Sequence, residues 1–134
     1  MKIDGSCHCG QIRYEALVDP EKVAICHCTD CQTLSGTAYR TVAPSTGFKL
    51  LSGKPKVYVK TADSGNQRQQ AFCPECGTPI YSAPVVDVPQ IHHLRVGSIR
   101  QRAQLPPRSQ YWCRSALGWS TDLSELPQTQ AQAK

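Results

Sequence analysis

The fold class this chain predicts is mainly β, and three observations predict it. Short runs of alternating or β-branched residues recur with turn residues between them, helical patterning is scarce, and seven of the eight cysteines gather in three short clusters. A length of 134 residues suits one domain. With only two Phe and two Trp the apolar core is modest, so cross-links through the cysteines would supplement it.

In chain order, the alternation from Gln11 to Leu17 predicts a half-buried strand, and Val23-Ala24-Ile25 a short apolar strand leading into a cysteine cluster. Thr29 to Gly36 is polar and closes on glycine, which fits one helical turn or a tight loop. Ala38 to Ala43 resumes as strand. Phe48 to Leu51, Val57 to Thr61 and Gln69 to Phe72 follow as strands, separated by turn residues at Ser52 to Pro55 and Asp63 to Asn66. Ile80 to Ser82 and Ile91 to Val96 extend the pattern, and Pro84, Pro89, Pro106 and Pro107 mark loops or edges. From Thr121 the chain turns polar and Gln-rich, which places a single domain over residues 1–120 and a mobile polar tail over 121–134.

The clusters are Cys7-His8-Cys9, Cys26-His27-Cys28-Thr29-Asp30-Cys31 and Cys73-Pro74-Glu75-Cys76-Gly77. The start of the chain, with Asp4 and no apolar run, is unlike a secretory signal, and no run of 18 apolar residues occurs, so the expectation is a cytoplasmic protein with no membrane contact. Thiols stay reduced in that compartment, which favours metal binding over a disulfide framework.

Cys73 to Gly77 reads as a zinc knuckle, with a proline stiffening the turn and a glycine free to take positive φ. A knuckle supplies two ligands and needs two more. Residues i and i+2 of an extended strand face one way, so Cys7 and Cys9 can complete a closed four-thiolate site. Cys26, Cys28 and Cys31 then offer three thiolates and leave one position open, as catalytic zinc sites do. Three thiolates leave the zinc a poor Lewis acid but a soft centre, suited to a substrate's sulfur. Other partitions of the seven thiols remain open on spacing alone, including an inert second site completed by Cys113 or His27.

The strings Gly5 to Gly10, Cys26 to Cys31 with Ser35-Gly36, and Phe72 to Thr78 together resemble the glutathione-dependent formaldehyde-activating family, which includes the centromere protein V group. The resemblance covers about residues 5–82, and Ser115-Ala116-Leu117 before Trp119 is similar to the family's C-terminal segment. It implies small β-sheets in a tent-like (β-tent) arrangement stabilised by two zinc ions. Cys7, Cys9, Cys73 and Cys76 are then the structural ligands, and Cys26, Cys28 and Cys31 the active-site ligands. It also implies a carbon–sulfur lyase acting on thiol adducts of small aldehydes, such as S-(hydroxymethyl)glutathione formed from glutathione and formaldehyde. The other class of function is a non-catalytic zinc-stabilised β module that binds a protein or other macromolecule. A labile zinc store or redox sensor ranks third.

The formal charge of +5 does not argue for nucleic acid, because seven metal-bound thiolates and two zinc ions bring it to about +2. The basic residues are also scattered rather than clustered with aromatics. Arg40, Arg95 and Arg114 are candidates for binding carboxylates of a small-molecule thiol, although each reads first as a solvated surface charge. His8 and His27 are expected to pack behind the ligands, His92-His93 to lie one inward and one outward on a strand, and Cys113, Trp112, Trp119 and Tyr81 to be core.

Overall fold

The computed structural model describes residues 1–132; the last two positions of the expected tail, 133 and 134, lie outside the described residues. Nine strands account for most of the regular structure: β1 (Lys2–Ser6), β2 (Arg13–Val18), β3 (Ala24–Cys26), β4 (Arg40–Ser52), β5 (Lys56–Thr61), β6 (Gln67–Phe72), β7 (Pro79–Pro84), β8 (His92–Arg95) and β9 (Ser109–Tyr111). One helix, α1 (Thr29–Ser35), and short 3₁₀ turns complete it. The mainly β expectation holds. No helix among the described residues is long and apolar enough to cross a membrane.

The strands run in the order β1-β2-β4-β8-β7-β6-β5, all antiparallel, with β3 and β9 attached beside the start of β4. β4 is the strand on which this single sheet branches. Val42 pairs with Ala24 of β3 on one edge and with Arg95 of β8 on the other, while Ser45 pairs with Val18 of β2 and His92 of β8. Thus β3 and β2 follow one another along one edge of β4, and β8 occupies the opposite edge. The two strands expected at Ala38 to Ala43 and Phe48 to Leu51 are this one long strand, continuous through Gly47 at φ 62°. A positive φ there lets the backbone deform without ending the strand, as the register shifts against β2 require.

Three further elements differ from expectation. α1 is two turns rather than one, because Cys28 caps its start and Gly36, at φ 74°, closes it in the left-handed region. β1 carries only Ile3 as an apolar residue, so no alternation marks it; its partners and Met1, whose terminal amine donates to Val18 O at 2.8 Å, fix it instead. β9 lies parallel to β3, pairing Ile25 with Gln110 and Cys26 with Tyr111, and depends wholly on that remote partner.

The core sits between the inner faces of these strands. Ile3, Ile12, Tyr14, Ile80, Leu94, Ile99 and Leu105 are fully buried, each contributing on the order of 2 kcal/mol by leaving water. Phe48 stacks on His92 at 4.4 Å and on Tyr14 at 5.3 Å, and tilts against a half-buried Tyr81 at 5.1 Å. His92 is therefore a core side chain.

Trp112, Trp119 and Cys113, expected in the core, are instead exposed, with Trp119 at 63%. The physical reason is the backbone after β9. Trp112 adopts φ 58°, the one non-glycine residue in the left-handed region among those described, and turns the chain out of the sheet into a 3₁₀ turn at Cys113–Ser115. Its ring is covered on one side by the Arg114 guanidinium at 4.8 Å, and this segment leads to a tail in which Leu123 and Leu126 are exposed.

Candidate metal centre and its cleft

The first cysteine cluster is built by two turns that face each other. At the β6–β7 turn, Gly77 N donates to Cys73 O and Cys73 N to Thr78 O, both at 2.9 Å, with Gly77 at φ 78°. After β1, Gly10 N donates to Cys7 O at 3.1 Å and Ile12 N donates to Cys7 Sγ at 3.2 Å. Cys7 and Cys9 therefore project from a tight turn, not from an extended strand as their i, i+2 spacing suggested. The turn brings both sulfurs inward, which an extended strand achieves by a different route. His8 N donates to Thr78 Oγ1 at 3.0 Å and so ties the two turns together, while its exposed imidazole does not pack behind the cluster.

The sulfurs of Cys7, Cys9, Cys73 and Cys76 all lie within 4.8 Å of one another, with Cys7–Cys9 at 3.6 Å and Cys9–Cys73 at 3.8 Å. A tetrahedral zinc with bonds of about 2.3 Å separates its sulfur ligands by about 3.8 Å, so the four thiols fit that ion. The Thr78 hydroxyl and backbone amides that approach Cys76 bring its thiol down to about 5, which keeps it a thiolate.

The second cluster spans a strand end and a helix. Cys26 ends β3, Cys28 caps α1 with Sγ accepting from Cys31 N at 3.2 Å, and Cys31 lies in the first turn of α1. Capping by a cysteine thus fixes two candidate ligands at once. All three sulfurs lie within 4.8 Å of each other and are half-buried, and no fourth Cys, His, Asp or Glu among the described residues joins them. Cys113 does not complete the site, and neither does His27. His27 is buried behind the cluster, where Nε2 bonds to Gln110 Oε1 at 2.8 Å and Tyr39 packs edge-on at 5.5 Å. Three thiols this close share protons unequally: the Cys31 thiol beside it brings Cys26 down to about 5, and Cys31 itself is pushed up. The trio suits a thiophilic metal that replaces those protons, and zinc with three sulfur ligands matches the donor set.

In front of this cluster opens a cleft of about 790 Å³. Its floor is one face of the sheet, read off by the period-two alternation of every strand that contributes: Ala24 and Cys26 on β3, Arg40 and Val42 on β4, His93 and Arg95 on β8, Arg68 and Gln70 on β6. Arg40 stands directly across from Cys26 in the ladder. Arg40 and Arg95 are only 6% and 8% exposed, which corrects the reading of both as surface charges, while Arg114 remains at the surface. Gln70 Oε1 accepts from Arg40 at 3.2 Å and from Arg95 at 2.6 Å. Burial, with Arg40 nearby, holds the Arg95 guanidinium down to about 9.

Arg68, Gln70 and Lys60 were not singled out from the sequence. Arg68 and Gln70 sit at i and i+2 of a strand whose first four residues are all polar, so no alternation in the sequence marks them as facing the cleft. Arg68 donates to Ser82 Oγ at 3.0 Å and lies 2.9 Å from His93 Nδ1. Lys60 pairs with Asp30 of α1 at 2.8 Å across the cleft mouth.

The family described as glutathione-dependent formaldehyde-activating enzyme matches residues 2–115. The chain belongs to this family. The match takes in all seven clustered cysteines and the cleft-lining strands. A protein of Schizosaccharomyces pombe, named as an uncharacterized lyase, is 29% identical over 84 residues, covering 60% of this chain and 56% of that protein; the chain thus spans little more than half the length of that relative. A crystal structure of a Rhodobacter sphaeroides protein aligns with a TM-score of 0.60 at 16% identity, over 80% of this chain and 98% of that one, and carries the fold alone.

Proposed function

We propose that this protein is a zinc-dependent carbon–sulfur lyase-like enzyme acting on thiol adducts of small aldehydes, as in the formation of S-(hydroxymethyl)glutathione from glutathione and formaldehyde. The observation that carries the reading is the open three-thiol cluster at the floor of a cleft, set against a separate cluster of four thiols that closes on itself. Family membership and a relative named as a lyase support the same reading.

Cys7, Cys9, Cys73 and Cys76 hold a structural zinc that pins the N-terminal turn to the β6–β7 turn. Cys26, Cys28 and Cys31 hold the second. When bound there, zinc supplies a soft centre that stabilises a substrate thiol as thiolate at neutral pH. The addition makes the sulfur–carbon bond as the carbonyl π bond breaks, and the thiol's proton moves from sulfur to the former carbonyl oxygen; the reverse restores the S–H bond and the carbonyl, and nothing is oxidised. The chain's own part is to hold the ligands rigidly, through the Cys28 cap on α1 and the His27 contact to Gln110, and to bind the substrate in the cleft in front of them.

Exchange-based NMR on glutathione and formaldehyde at equilibrium tests the reading, because it separates catalysed interconversion from the spontaneous addition. Wild-type protein accelerates exchange above the protein-free rate, and Cys28→Ser or Cys31→Ser returns it to that rate. Exchange that stays at the protein-free rate with wild-type protein and with Cys28→Ser alike, in a chain that still needs Cys73 to fold, identifies a non-catalytic zinc-stabilised module instead.

A further inference from the structure

Three guanidiniums, Arg40, Arg68 and Arg95, converge on the floor of the cleft, and none is paired with a carboxylate among the described residues. Their hydrogen-bond acceptors are neutral: Gln70 for Arg40 and Arg95, Ser82 and His93 for Arg68. Arg40 Nε, inside a side chain that is almost wholly buried, has no partner at all. The two acidic side chains that line the cleft, Asp30 and Glu21, are engaged by Lys60 and Arg108.

Buried charge is held in place by an opposite charge, and leaving it unpaired is strongly unfavourable. The three-cysteine cluster with zinc carries a charge of only −1. It offsets at most one of the three guanidiniums. Two positive charges remain facing a cavity of about 790 Å³, far larger than a two- or three-carbon thiol needs and within the range of cavities that enclose drug-sized ligands. The planar fork of a guanidinium binds carboxylate oxygens in pairs, and the neutral acceptors keep the forks oriented without neutralising them.

We propose that Arg40, Arg68 and Arg95 form a recognition subsite for the carboxylates of the substrate, so that the cleft selects thiols bearing two or more negative groups over neutral or cationic thiols of the same size. This rests on the reading of Cys26, Cys28 and Cys31 as the centre that takes the thiol sulfur. The selection is by the charge the substrate carries besides its reacting sulfur. The arginines are positioning residues.

Calorimetric binding to the zinc-loaded full chain tests it with four probes: glutathione, glutathione diethyl ester, S-methylglutathione and S-methylglutathione diethyl ester. The acids bind at least about 100-fold more tightly than the diesters, since each carboxylate in contact with a guanidinium is worth about tenfold or more. Arg95→Gln and, separately, the less buried Arg68→Gln each reduce that ratio about tenfold. Removing Arg68 also relieves like-charge crowding with Arg95, so the ligand-free variant melts no lower than wild type. Equal binding of acids and diesters overturns the subsite while leaving the thiol reading intact, provided glutathione still outbinds its S-methyl form. Acids that outbind diesters with no advantage for the free thiol overturn the thiol reading and leave the subsite. A lower melting temperature in Arg68→Gln with an unchanged acid-to-diester ratio assigns that guanidinium to structure and overturns its part in the subsite.

Discussion

The imidazole of His27 is held 2.8 Å from the side-chain oxygen of Gln110, and this one contact ties the loop between Cys26 and Cys28 to a strand 83 residues further along the chain. With an oxygen as partner, Nε2 carries the proton and Nδ1 is left without a hydrogen bond in the core. His27 N also donates to Tyr111 O at 3.0 Å, so backbone and side chain fix the loop from the same side.

Gln110→Ala removes the side-chain part of that support without touching a thiol. Zinc affinity at the Cys26, Cys28 and Cys31 cluster falls about tenfold, as for other groups that orient metal ligands. The four-cysteine cluster, none of whose thiols lies on β3, α1 or β9, keeps its metal. Chelator competition that resolves the two zinc populations checks this, and equal weakening of both would show that Gln110 acts on the whole fold.

A second prediction concerns the buried contact behind β1. Ser98 Oγ donates to Arg95 O at 2.9 Å, so at the 2.6 Å contact Tyr14 is the donor and Ser98 the acceptor. Tyr14→Phe loses one neutral hydrogen bond, at a cost of about 1 kcal/mol. Gly5 lies against the same pair, and a methyl group there would meet Ser98 O at 2.6 Å as well as the Tyr14 ring. Because the obstacle includes backbone, Gly5→Ala costs about 3 kcal/mol. Urea denaturation with zinc kept saturating measures both, and a Gly5→Ala variant as stable as wild type would show that β1 can move away from Tyr14.

His93 supplies a pH dependence. Burial, followed by the charges of Arg68 and Arg95, holds its imidazole down to about 4, below its ordinary value of 6.5. Between those values the unfolded chain binds up to about one more proton at this site than the folded chain does. Stability is therefore present above about pH 6.5 and is lost as pH falls toward 4. His93→Asn retains an acceptor for Arg68 but cannot titrate, so its melting temperature declines less steeply than that of wild type from pH 7 to 4.5. Identical slopes would mean that His93 is protonated in the folded protein as readily as in the unfolded one.

The cysteine clusters were legible in the sequence because their thiols are close along the chain: two knuckle thiols within four residues, three thiols within six. Local spacing restricts what such groups can do. The route by which Cys7 and Cys9 reach the knuckle was not legible, since a turn closed by Gly10 and a strand produce the same i, i+2 pattern. The arginine floor was harder still. Arg40, Arg68 and Arg95 come from three strands, and only the successive registers of β4 with β8, β8 with β7 and β7 with β6 put them on one face. Arg40 and Arg95 were candidates on chemistry alone, whereas Arg68 was not.

The exposed Trp112 shows the opposite limit. Aromatic scarcity argued for a core residue, yet its left-handed backbone turns the ring outward to the rim of the cleft, where it lies against Arg114. Nothing in the pattern of Gln110 to Ser115 marks that turn. The strand before it, β9, exists only because β3 offers an edge for parallel pairing.

Zinc per chain, measured by elemental analysis on protein purified under reducing conditions and repeated during a mild chelator challenge, tests the reading of the two clusters most directly. About two zinc ions are expected, one retained and one lost readily, with the labile one protected by added glutathione and absent from Cys28→Ser. A single tightly held zinc, with Cys26, Cys28 and Cys31 all open to a thiol reagent and no second ion recruited by glutathione, would contradict it.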